Sequence, residues 1–307
     1  MKALLVLVSL FAGLLARADI KIVAAENFYG GIASQIGGDS VAVQSILSNP
    51  NQDPHEFTTD AATAKAVADA DIVIYSGIGY DDWMTKLLGA GGKPDRIVIR
   101  VADLIGAQSG DNPHIWYDPR TMPALADKLY NILSNRDVTH ESRYFGQAEL
   151  FKDAMKDVTD EIDTIKSKYA GTTVTATEPV FGYMATALGF KMINYDFQVN
   201  IMNDAEPSAA QTAAFERSLK PKTVKILFYN KQVTDPTTER LKNLAIQSGV
   251  QIVGVTETQP ADQKTYTAWM ISQLNRVQTA LITPAFKDGL PVPNAKNIPQ
   301  GPEAPAP

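Results

Sequence analysis

The stretch Ile20-Lys21-Ile22-Val23-Ala24-Ala25 is a short apolar run. A helical pattern over 28–36 follows, and then a second β-rich run, Val41-Ala42-Val43-Gln44-Ser45-Ile46-Leu47. Strand, helix and strand in that order, with few polar breaks in the strands, read as a parallel unit covered on both faces. The alternation continues outward, with a helix over 59–68, the apolar strand Ile72-Val73-Ile74-Tyr75, a helix over 81–88 and a strand over 96–101. It resumes after residue 170, with strands over 173–176, 191–195, 224–229 and 250–255, and helices over 180–188, 208–219, 237–249 and 265–281.

Between the two sets lie a helix over 120–133 and a much longer pattern over 141–169. In the latter, Phe145, Leu150, Phe151, Met155, Val158, Ile162 and Ile165 recur at roughly helical spacing. A helix of that length is expected to bridge two lobes. The fold class expected is therefore α/β, with two doubly wound lobes over 19–137 and 171–288. A bridging helix over 138–170 joins them, and the ligand site lies in the cleft between the lobes.

The 307 residues suffice for two domains, each with its own core. A net charge of -6 argues against nucleic acid or an anionic membrane surface as partner. Met1-Lys2, an apolar run from Ala3 to Leu15 and the small residues around Ala16-Arg17-Ala18 read as a signal peptide over 1–18. The apolar run is short for a membrane span, which needs about 20 residues. The chain has no cysteine, so disulfides and thiolate metal sites are excluded. The cysteine that carries lipid in bacterial lipoproteins is missing as well. The expectation is a monomer free in the periplasm, without a lipid anchor. The segment 289–307 is read as a proline-rich, disordered tail.

Chemistry centres on two of the three histidines. His55 in Asp53-Pro54-His55-Glu56-Phe57 and His114 in Asn112-Pro113-His114-Ile115-Trp116 each follow a proline, which stiffens the loop, and each comes after a strand. A neutral imidazole so placed is a good transition-metal ligand. Glu178 and Glu257 close strands in the second half. Ligands in open α/β sheets bind outside the carboxyl ends of strands, so two pairs of side chains are expected to face one cleft.

Each residue also has an ordinary reading. A loop histidine is often merely solvated, Glu178 suits the N-terminus of the helix beginning at Val180, and Glu257 fits a surface loop. His140 is expected at the start of the long helix, with no metal role. Trp116 and Tyr117 fit either the cleft or the core. Asp118 is expected to cap a helix with Pro119 in its first turn, and Asn230 to offer a hydrogen bond on the cleft side.

Taken together, Ile36-Gly37-Gly38-Asp39, Asp53-Pro54-His55-Glu56-Phe57, Pro113-His114-Ile115-Trp116-Tyr117-Asp118-Pro119, Thr177-Glu178-Pro179-Val180-Phe181-Gly182-Tyr183, Glu206-Pro207-Ser208-Ala209 and Val255-Thr256-Glu257-Thr258 resemble the substrate-binding proteins of metal-ion ABC transporters, the cluster A-I receptors. The likeness runs over nearly the whole mature chain. It implies a periplasmic protein that captures a divalent metal ion and delivers it to a membrane permease, with limited hinge motion. It also implies a ligand set of His55, His114, Glu178 and Glu257, the last by the loosest match. Two imidazoles with two carboxylates form a hard set, which favours manganese or ferrous iron, whereas added imidazole favours zinc. Manganese is the first expectation and zinc the second, with iron possible.

The chain is not expected to be an enzyme. The competing reading as a metal-dependent hydrolase lacks H-E-x-x-H, since Thr59 stands four residues after His55, and it lacks a G-x-S-x-G elbow. A metal-binding adhesin or buffer that engages no transporter is the other alternative.

Overall fold

The computed structural model describes residues 19–50, 54, 57–220, 223–233 and 236–283. The expected signal peptide and proline-rich tail, together with His55, lie outside the described residues.

In the first half, β1 (Ile20–Glu26), α1 (Asn27–Gly37), β2 (Val41–Leu47), α2 (Ala61–Asp69), β3 (Ile72–Tyr75), α3 (Asp82–Gly89), β4 (Ile97–Arg100) and α4 (Val101–Ile105) succeed one another. The strands form a parallel sheet of order β2-β1-β3-β4, with Ile22 beside both Val43 and Ile72. Next come α5 (Thr121–Arg136) and the long α6 (Glu141–Tyr169). The second half runs β5 (Thr173–Ala176), α7 (Gly182–Ala187), β6 (Lys191–Ile193), α8 (Tyr195–Met202), α9 (Ala209–Ser218), β7 (Ile226–Asn230), α10 (Pro236–Gln247), β8 (Gln251–Val255) and α11 (Tyr266–Ile282). Its strands are again all parallel, in the matching order β6-β5-β7-β8. This is the expected pair of doubly wound α/β lobes.

Successive strand residues point to opposite faces, and the cores follow that rule. Ile22, Ala24, Ile72 and Ile74 join one large core, while Val23, Ala25, Val73 and Tyr75 face a smaller one with Val67 and Met84. In the second sheet, Ile226 and Phe228 join the same large core, and Leu227 turns to a satellite with Phe197, Phe215 and Leu241. The large core thus runs through both lobes.

α6 carries that continuity. Its buried residues are Tyr144, Ala148, Phe151, Met155, Val158, Ile162 and Ile165, alternating four and three apart. That spacing lays one apolar stripe along the helix. α5, α1 and α11 pack against it. Phe145 and Leu150, expected on this stripe, are instead 51% and 59% exposed. The true stripe runs through Tyr144 and Ala148, one residue before and two residues before them.

Three local expectations differ from the structure. The strand expected over 191–195 ends at Ile193 because Asn194 takes a left-handed backbone (φ 62°). There its amide donates to Thr175 Oγ1 (3.0 Å) and Ser218 Oγ (2.9 Å), and α8 starts at the next residue. Residues 101–105, read as the end of a strand and the loop after it, form α4. Asp118 does not cap a helix at Pro119. Its carboxylate accepts from the Arg120 N–H (2.9 Å) and guanidinium (2.7 Å), closing a turn, and α5 begins at Thr121.

Candidate metal centre

In a doubly wound sheet, the crevice lies where the strand order reverses. Those points are between β1 and β3 in the first sheet and between β5 and β7 in the second. Glu178 lies two residues beyond β5, Asn230 is the last residue of β7, and Glu257 lies two residues beyond β8. His114 sits on the loop between α4 and α5, at a 3-10 turn over Ile115–Tyr117.

The structure brings three of the four expected residues together. His114 and Glu257 are wholly buried, and Glu178 nearly so. Across the cleft, His114 Nε2 stands 3.5 Å from Glu257 Oε2. Asn230 Nδ2 donates to Glu257 Oε1 at 2.5 Å and to Glu178 Oε2 at 3.3 Å, holding the two carboxylates side by side. The expected polar role of Asn230 is thus realised. Glu178 precedes a 3-10 turn over Pro179–Phe181, but its side chain makes no cap there, so the helix-cap reading fails. Among the described residues, no group of three or more His, Asp or Glu side chains is close enough together to hold a metal ion, and His55, the fourth expected ligand, lies outside them.

A lattice of amides fixes the second lobe's half of the site. Asn230 Oδ1 accepts from Gln232 N–H at 3.0 Å, which turns its amide donors toward the carboxylates. Gln232 Oε1 accepts from the backbone N–H groups of Glu257 (2.5 Å) and Thr258 (3.2 Å), and its own amide donates to Thr258 Oγ1 (3.0 Å). In the first lobe, Asn112 Oδ1 lies 2.7 Å from His114 Nδ1 and accepts from the His114 N–H at 3.1 Å. Tyr80 packs edge-on to the His114 ring, with centroids 5.9 Å apart. Burial, followed by the charge of Glu257, holds the Tyr80 hydroxyl well above its ordinary pKa, so it stays a phenol beside that carboxylate.

Beneath the first lobe's crevice lies a second carboxyl pair, absent from the sequence-based expectations. Glu26, the last residue of β1, and Asp81, before α3, are both fully buried. Asp81 accepts the N–H groups of Ser76 (2.6 Å) and Gly77 (2.7 Å), which favour its ionised form. Burial nevertheless pushes Asp81 up to about 7. Glu26 is driven well above the usual carboxyl range, first by burial and then by the charge of Asp81. Its one sequence signal is an acid closing an apolar strand.

The lobes meet over a buried aromatic seam. Trp116 and Tyr117 belong to it, which settles their placement as core. Phe28 of the first lobe packs on Trp269 of α11 (5.8 Å between centroids), and Tyr117 packs on Phe181 (5.2 Å). Tyr117 donates to the Thr256 carbonyl (2.8 Å), and Tyr266 donates to the Trp116 carbonyl (2.6 Å). The Asn27 amide makes a two-way pair with the backbone of Gln259, at 2.8 and 3.0 Å.

Residues 22–280 match the family model described as ZnuA, zinc-uptake complex component A periplasmic. The manganese-binding lipoprotein MntA of Halalkalibacterium halodurans is 24% identical over 197 residues, 61% of this chain and 64% of MntA. The match therefore spans just under two thirds of that relative. The metal ABC transporter substrate-binding lipoprotein SloC of Streptococcus mutans is 25% identical over 287 residues, 85% of this chain and 90% of SloC. Both names include a lipid anchor, from which the expectation of an unanchored protein departs. The periplasmic zinc-binding protein TroA of Treponema pallidum shares the fold at a TM-score of 0.71 and 17% identity, covering 86% of this chain and 99% of TroA. The match across both lobes makes this chain a member of the ZnuA family, the periplasmic component A of zinc-uptake complexes.

Proposed function

We propose that the chain is a periplasmic solute-binding protein that captures a divalent transition metal and hands it to an ABC permease. The observation that carries this reading is the convergence of a buried imidazole from one lobe on two buried carboxylates of the other. Two carboxylates held side by side in a buried place repel each other, and the imidazole beside them offers a lone pair. A cation set between them supplies the counter-charge, with His114, Glu178 and Glu257 as ligands and His55 as the fourth. The lobes are taken as 19–137 and 171–288, with 138–170 as the bridge. The protein acts as a carrier, not an enzyme, as a monomer in the periplasm.

The ligand set is harder than one with three imidazoles, which favours manganese as cargo. Zinc is the alternative, and the affinity order of first-row metals ensures that it also binds. Elemental analysis of protein purified without added metal, followed by calorimetric competition between manganese and zinc, tests the reading. One ion per chain, with binding abolished in Glu257→Ala, is the expected result. Binding that persists undiminished when His114 and Glu257 are both replaced by alanine would sink it.

A further inference from the structure

We infer that Asn112 is a positioning residue that fixes the ring of His114 so that Nε2 alone is presented to the metal, an inference that rests on the function proposed above. The argument starts from which groups can donate. The His114 backbone N–H can only donate, and it points at one end of the Asn112 side chain, at 3.1 Å. The Pro179 carbonyl can only accept, and it lies 2.7 Å from the other end. These two partners fix which end of the amide is oxygen and which is nitrogen. The oxygen end faces His114 Nδ1 at 2.7 Å, so that ring nitrogen must carry a proton. Nε2 is then the coordinating atom, and it is the one directed at Glu257.

The same side chain also spans the two lobes. Pro179 directly follows Glu178, so the Asn112 amide ties the backbone beside one candidate ligand to the ring of another. Tyr183 donates its hydroxyl to the Asn112 carbonyl at 2.9 Å, securing the residue from the second lobe a second time. The close approach needs a glycine opposite it. A Cβ at Gly182 would fall 2.7 Å from Asn112 Nδ2.

Partners that set the tautomer of a metal-binding histidine typically change affinity by about 10–100-fold when removed. The test uses the full chain with 15N-labelled histidine, which has three residues to assign. In metal-free protein, a His114 Nδ1–H resonance is expected to be protected from exchange and to persist at alkaline pH. Asn112→Ala should lose that protection and bind manganese about 10–100-fold more weakly. Asn112→Asp keeps an acceptor for Nδ1–H but loses the donor to the Pro179 carbonyl, so it should restore the protected resonance and only part of the affinity. An Nε2–H tautomer in the metal-free wild type, or an Asn112→Ala variant unchanged in both readouts, would overturn the inference. So would an Asn112→Asp variant that lacks the protected resonance, since its carboxylate still offers Nδ1–H an acceptor. The metal-free resonance is independent of cargo, so absence of manganese binding in the wild type counts against the proposed function and not against the tautomer.

Discussion

His114 and Glu257 come from opposite lobes and meet with Nε2 and Oε2 3.5 Å apart, both wholly buried. With the Nδ1 proton directed at Asn112, the pair joins a ring lone pair or its proton to a carboxylate in a site shielded from water. Under the proposed function, a divalent ion between them would offset the repulsion of two electron-rich atoms.

Asn230 holds the two carboxylates together, so its loss should be felt at the metal. Asn230→Ala is expected to weaken manganese binding about 10–100-fold. Added manganese should also raise its Tm less than that of the wild type, because stabilisation follows RT ln(1 + [L]/Kd). Thermal melts with and without manganese measure this. Equal shifts in both proteins would show that Asn230 does not support the ligands.

Glu178 and His140 offer a paired comparison. Glu178 faces the cleft beside Glu257, whereas the His140 ring pairs with Asp137 Oδ2 at 2.9 Å at the start of α6. Calorimetry should find manganese binding lost in Glu178→Ala, or weakened by more than the about tenfold that loss of a ligand's hydrogen-bonding partner costs. It should find no change in His140→Ala. Equal, negligible losses would remove Glu178 from the ligand set.

The Glu26–Asp81 pair gives a pH dependence with a definite sign. The carboxyl of Glu26 is raised in the folded protein above its ordinary value of 4.5, so the native state holds its proton longer than the unfolded chain does. Where the native state binds more protons, stability falls as pH rises. That loss begins near pH 4.5 and continues upward through the range in which Asp81, raised to about 7, also ionises. Glu26→Gln removes the titrating group while keeping its shape. Urea denaturation should find this variant close to wild type in acid and more stable than wild type at alkaline pH. An unchanged pH profile would show that Glu26 is ionised in the native state.

The buried face of α6 can be checked with two phenylalanines. Phe151→Ala deletes a ring from the shared core and should cost about 3–5 kcal/mol. Phe145→Ala removes a half-exposed ring packed edge-on to Tyr130 and should cost about 1 kcal/mol or less. Denaturant midpoints for the two variants decide between the observed stripe and one that includes Phe145.

The alternation of short apolar strands with amphipathic helices was readable along the chain because both periods are local, two for strands and 3.6 for helices. So was the placement of Glu178 and Glu257 just after strands, since residues beyond strand ends in parallel sheets gather at one edge, whereas His114, expected after a strand, follows α4. The face of α6 was harder. Phe145 and Leu150 satisfy a helical spacing as well as Tyr144 and Ala148 do, and only the surfaces of α5 and α11 select between them. The end of β6 at Asn194 was hidden for a similar reason, because its left-handed backbone is held by Thr175 and Ser218 from other elements.

The order of residue types along this chain, by itself, determined two parallel lobes and the acids and imidazole that would meet between them. Tertiary structure alone decided how those groups are held. Asn112 contacts Pro179, Asn230 spans Glu178 and Glu257, and Glu26 lies against Asp81 because separate loops converge at two switch points. Hydrogen bonds and charge–charge contacts act over a few ångströms in space, and no local periodicity encodes which distant loops will come that close.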